Sequence, residues 1–166
     1  MGLSKARLFT LFDIFIFFSY ICSKTRCNQS LLLFSTMKYD REYTPEFITS
    51  LKDNEIFVFG SNIHGMHGGG AARAAWQKFD AEWGVGEGLT GKCYALPTME
   101  GGLDYIQGKV NNFIACAKSH PELKFYVTKV ACGIAGFSIR EIGPLFKSAL
   151  PLENVILPKE FVDSMK

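Results

Sequence analysis

From residue 44 onward the hydrophobic pattern switches repeatedly between two periods. Glu55-Ile56-Phe57-Val58-Phe59 is a short apolar run of β-favouring side chains, the pattern of a strand buried on both faces. Cys93-Tyr94-Ala95-Leu96, Lys124 to Val130 and Asn154 to Pro158 read as three further strands. Between them, Leu103, Ile106, Val110, Phe113, Ile114 and Ala117 recur at helical spacing, and that pattern stops at His120-Pro121. Ala71 to Phe79 is a second helix, rich in strong helix formers. Thr44-Pro45-Glu46 carries the marks of a helix start: Thr as N-cap, Pro at the first helical position and an acid in the first turn. Phe47, Ile48 and Leu51 then share one face of that expected helix. Ser138 and Glu141 are spaced as a capping box for a later helix, in which Pro144 sits early or marks a restart.

The resulting order is α-β-loop-α-β-α-β-loop-α-β. Strands alternating with helices predict an α/β domain with helices on both faces of a mostly parallel sheet. Three stretches of Gly and small residues punctuate it: Gly60 to Gly70, Gly84 to Leu89, and Ala131 to Phe137. Two of them follow strands and precede helices. In a parallel sheet they meet at one edge, beyond the carboxyl ends of the strands, where such folds bind ligands.

Residues 1–36 read differently. The run LFTLFDIFIFFSYICS follows Lys5 and Arg7, as in a signal or anchor segment, but Asp13 interrupts it. It is also short for a membrane span, which needs about 20 residues. The alternative is a translation start assigned too early, with Met37 opening a domain over residues 37–166. The domain is expected in the cytoplasm, or secreted or anchored should residues 1–36 act as a signal; no membrane contact is expected of residues 37–166.

Composition narrows the function. The net charge is +2 and no basic run occurs, which argues against a nucleic-acid partner. The five Cys are odd in number and lack CxxC spacing, so neither a disulfide framework nor a zinc site is expected. A Gly-rich loop that opens a helix offers bare backbone N–H groups and a positive dipole end, both suited to phosphate. Two such loops at one edge suit a diphosphate. Neither a P-loop nor the G-x-G-x-x-G fingerprint is present.

NEIFVFGSNIHGMHGGGAARAA, a buried strand, an Asn and then a Gly run opening a helix, resembles the macrodomain pattern. VTKVACGIAGFSIREIGPLF resembles that family's second loop. The resemblance covers about residues 42–158 and is nearest to short macrodomain-like proteins of bacteria and their phages. It implies a three-layer α/β/α fold with a mostly parallel mixed sheet and a cleft for ADP-ribose or a related nucleotide diphosphate. The partner is then a small-molecule nucleotide or an ADP-ribosylated protein, with no cofactor and no metal.

By position, the resemblance assigns Gly60, Ser61 and Asn62 to the strand end, with Asn62 on the terminal ribose. Gly68, Gly69, Gly70 and Ala71 pass beside that ribose and its phosphate. Cys132, Gly133, Ile134, Ala135, Gly136 and Phe137 form the diphosphate wrap, with Phe137 over the ribose side. The adenine-reading Asp falls to Asp53 or Asp40. The chain also departs from the family. The acid that many hydrolytic members carry after the Gly run is replaced by Ala71, Ala72 and Arg73, and no Glu-Glu pair occurs. Hydrolysis of an ADP-ribosyl or phosphoester bond would therefore fall to Glu87, flanked by glycines, or His67 as base. The alternative is a non-catalytic module that binds and sequesters the nucleotide.

Overall fold

The strand-like runs become a five-stranded mixed sheet. Its members are β1 (Glu55–Ser61), β2 (Gly88–Thr90), β3 (Cys93–Pro97), β4 (Lys124–Val127) and β5 (Val155–Ile156). The order across the sheet is β2-β3-β1-β4-β5. β1 runs parallel to both β3 and β4, β4 runs parallel to β5, and β2 is antiparallel to β3. A computed structural model describes residues 41–166, of which Glu42–Lys166 form one unit. The expectations for residues 1–36 and for Asp40 lie outside the described residues.

β1 is buried on both faces because its alternate side chains enter two separate cores. Ile56 and Val58 point into one, together with Tyr94, Leu96, Phe125, Val127 and Val155. Helix α2 (Leu103–Ser119) covers that core with Ile106, Val110, Phe113, Ile114 and Ala117, the residues whose spacing marked it as a helix. Phe113 sits at its centre, edge-on to Tyr94 at 5.1 Å and to Phe125 at 5.6 Å. Each such pair contributes about 0.5–1.5 kcal/mol beyond its buried area. Phe57 and Phe59 point into the other core, where helix α1 (Gly70–Lys78) brings Ala72 and Ala75. The partners from β3 on that face are Cys93 and Ala95, so small side chains on helix and sheet leave room for the large rings of Phe57, Phe59 and Phe79.

After β4 the chain forms a short helix α3 (Ile139–Ile142), opened by the expected Ser138–Glu141 capping box. A 3₁₀ turn over Gly143–Ala149 follows, with Pro144 at its start, and so the restart reading of Pro144 holds.

The sequence pattern and the fold differ in four places. Residues 44–51 form no helix. Tyr43 instead pairs with Leu157 in an isolated parallel bridge. The Thr44 N–H donates to the Leu157 carbonyl at 3.0 Å, and its hydroxyl donates to the Ile156 carbonyl at 2.8 Å. Both groups a helix cap would use are thus taken by the edge of the sheet. β4 ends at Val127 rather than Val130, because Val130 N–H turns back to the Thr128 carbonyl and Ala131 adopts φ +61°. The second Gly-rich stretch supplies the short antiparallel strand β2. A last helix, α4 (Lys159–Asp163), follows Pro158 and buries Phe161 and Val162.

Candidate functional site

β1 and β4 are adjacent and parallel, so the loops after them leave the same edge of the sheet. They come close together: a methyl group built on Gly69 would lie 3.4 Å from the Ile134 side chain. The first loop is folded by its own groups. The Asn62 carboxamide closes a ring with Met66, donating to the Met66 carbonyl at 2.8 Å and accepting its N–H at 3.1 Å. Gly65 sits at φ +62°, and a side chain there would run into the backbone of Gly84 and Val85. Ser61 is buried and its hydroxyl donates to the Gly86 carbonyl. Asn62 and Ser61 are therefore committed to holding the loop, and Gly86 packs directly on the carbonyls of Asn62 and Ile63. The Glu100 carboxylate takes the Ile63 N–H at 2.6 Å and fixes the loop from the β3 side.

Helix α1 begins at this edge without protection. Gly69 is its N-cap, no side chain caps it, and its first turn holds no acid. The first N–H groups of a helix have no partner within it and carry its positive dipole end. In the second loop, Gly136 N–H closes onto the Gly133 carbonyl and Phe137 N–H onto the Ala131 carbonyl. Among the described residues no hydrogen bond uses the N–H groups of Gly133, Ile134 or Ala135. Gly133 and Ile134 are exposed, and Ala135 is half-buried. Phe137 and Cys132 are half-buried and pack toward the core under α2. Burial pushes the Cys132 thiol above its ordinary value.

A cavity of about 650 Å³ opens beside the start of α1. Gly70, Ala71, Ala74 and Lys78 form one wall, and residues 44–49 form the facing wall. Thr128, Lys129 and residues 158–160 close it at the carboxyl ends of β4 and β5. Three lysines (78, 129 and 159) border it against two acids, Glu46 and Glu160. Lys129 pairs with Glu160 at 2.6 Å, which raises the lysine and lowers the carboxyl. Of the site residues assigned from the sequence, only Gly70 and Ala71 line this cavity.

The two candidate bases lie elsewhere. Glu87 is half-buried at the start of β2 and turns toward α2, where Lys109 donates to it at 2.5 Å and Asn112 at 2.9 Å. Burial pushes its carboxyl up, but the bonds from Asn112 and Lys109 and the lysine charge outweigh that and hold it below the ordinary value. His67 is wholly buried, edge-on to Phe59 at 5.1 Å and to Trp83 at 6.1 Å. Its Nε2 lies 3.1 Å from the Glu82 carbonyl, and its Nδ1 has no partner among the described residues. Asp53 pairs with Lys92 on the surface, and among the described residues no Asp lines the cavity. The acids that do, Glu46 and Glu160, were missed. The signal for Glu160 was present in Pro158-Lys159-Glu160, a helix start lying just past the last strand-like run. Glu46 was read as a first-turn acid.

Trp76 and Trp83 are about half exposed and pack on each other at 5.4 Å. Among the described residues no cluster of three or more His, Cys, Asp or Glu is arranged to hold a metal, and no helix is long and apolar enough to cross a membrane. No protein-family model, no curated protein and no solved structure matches the chain.

Proposed function

We propose that the domain is a macrodomain-like, three-layer α/β/α module that binds ADP-ribose or a related nucleotide diphosphate, free or carried on a protein. One observation carries this reading: the uncapped start of α1 borders a cavity of about 650 Å³ and shares a sheet edge with a second loop in which the N–H groups of Gly133, Ile134 and Ala135 have no partner among the described residues, although these three do not line the cavity. Backbone N–H groups at a helix start suit phosphate oxygens, and a cavity of this size suits a nucleoside. Of the three lysines around it, Lys129 and Lys159 are paired with Glu160 and Asp163, so the attraction for an anion falls to Lys78 and the backbone N–H groups.

The positions of Glu87 and His67 support binding and sequestration over hydrolysis. A base must reach the proton it removes. The Glu87 carboxylate is engaged by Lys109 and Asn112, and the His67 ring is enclosed between Phe59 and Trp83.

Calorimetric titration of the full chain with ADP-ribose tests the reading, with AMP and ribose 5-phosphate as controls. Saturable binding is expected, and Gly133→Asp should abolish it by setting a carboxylate among the N–H donors. A side chain at Gly133 meets nothing within 4 Å, so this variant keeps the fold. No heat from a folded protein, or full binding by Gly133→Asp, would remove the assignment.

A further inference from the structure

The cavity wall over residues 45–51 is built unlike the rest of the domain. It is held at its two ends. Thr44 is bonded to the carbonyls of Ile156 and Leu157, and Lys52 N–H donates to the Glu55 carboxylate at 2.9 Å while Glu55 N–H returns to the Lys52 carbonyl at 3.2 Å. Between those ends, no hydrogen bond among the described residues involves residues 45–51. Only Ile48 and Leu51 pack on the core under α1. Phe47, on the lip of the cavity, is 81% exposed.

We propose that residues 45–51 form a hinged strap that closes over the base of a nucleotide bound in this cavity, with the Phe47 ring as its cover. The proposal rests on the nucleotide reading above and adds the device that would retain the ligand. Among the described residues moving the strap breaks no hydrogen bond, so its opening is opposed by the packing of Ile48 and Leu51 and by the attraction between Glu46 and Lys129, and such segments open at low cost. Closing it removes an exposed aromatic ring from water. It also takes the N–H and C=O groups of the strap out of water, and these need new partners. A nucleobase meets both demands, with a flat face for the ring and polar edges for the backbone. A purely apolar ligand would leave the backbone groups unpaired.

Hydrogen–deuterium exchange of the full chain, run beside the calorimetry, tests the proposal. Amides of residues 46–51 should exchange at once in the free protein and slow at least about tenfold with saturating ADP-ribose, as expected for groups that gain bonds. Ribose 5-phosphate, which lacks a base, should not slow them. Phe47→Ala should weaken ADP-ribose about tenfold, the scale of losing one base–aromatic stack, chiefly through faster dissociation. It should leave the thermal midpoint of the free protein unchanged, since the ring is exposed there. Binding of ADP-ribose with unchanged exchange in residues 46–51 and unchanged affinity in Phe47→Ala would overturn the strap and leave the binding site standing. Absence of any binding would overturn both.

Discussion

The role of Glu87 can be decided by a double-mutant cycle with Lys109. The carboxylate joins the loop before β2 to helix α2 through a lysine at 2.5 Å and an amide at 2.9 Å. The two charged side chains are 31% and 21% exposed, between the extremes of surface and core. Exposed ion pairs are worth about 0–1 kcal/mol, and a hydrogen bond to a charged group adds about 1.5 kcal/mol or more before solvent screening. Glu87→Gln should therefore destabilise the fold by about 1–1.5 kcal/mol, or about 4 °C in thermal midpoint for a domain of this size. Lys109→Met should cost a similar amount, and the double variant less than the sum, with a coupling of about 0.5–1 kcal/mol.

The pH dependence has two limits. Glu87 is depressed from 4.5, so its contribution is full above that ordinary value and is lost as pH falls through the lower folded value. Lys109 is raised from 10.5, chiefly by its bond to Glu87, so its contribution is full below that value and is lost as pH rises through the higher folded one. The gap between wild type and Glu87→Gln should thus be flat near neutrality and close in acid. Urea melts at several pH values measure it. A Glu87→Gln variant with unchanged stability, or one that loses an ADP-ribosyl hydrolase activity at unchanged stability, would refute the structural assignment of this carboxylate.

Gly65→Ala should cost more than about 3 kcal/mol, since it forces both a left-handed backbone and a collision with Gly84 and Val85; urea denaturation would show it, and a loss below about 1 kcal/mol would mean that the two loops are not packed backbone to backbone. Cys93 is wholly buried and its thiol is pushed up to about 12, first by desolvation. It should resist alkylation at neutral pH in the native protein and react in urea, as mapped by mass spectrometry, whereas rapid native labelling would contradict its burial against α1.

Much of the fold was legible because local pattern and tertiary demand agree. The run Ile56-Phe57-Val58-Phe59 is apolar at every position because β1 is the central strand between two cores, and the spacing from Leu103 to Ala117 is helical because one side of α2 lies on the sheet. Ser138 and Glu141 satisfy their backbone donors within one turn, so the capping box needs nothing from elsewhere. The convergence of two small-residue loops followed from the expectation that their strands run parallel, which β1 and β4 do. Thr44-Pro45-Glu46 fails by the opposite logic. Its cap residues are locally sound, but carbonyls of Ile156 and Leu157, more than a hundred positions away, take the hydroxyl and the N–H first.

The sequence by itself determined most of the alternation of strands and helices, a first strand buried on both faces and the two small-residue loops that follow β1 and β4, because hydrophobic period, glycine placement and capping act over a few residues. Tertiary structure alone decided which polar groups remain available. Asn62 closes its own loop on Met66, Glu87 is drawn to Lys109, and His67 is sealed by Phe59 and Trp83. The cavity joins residues 44–49 to residues 158–160, which no local pattern relates. The physical reason is that a side chain's chemistry depends on what competes for its donors, acceptors and solvent, and in this fold most of those competitors come from distant parts of the chain.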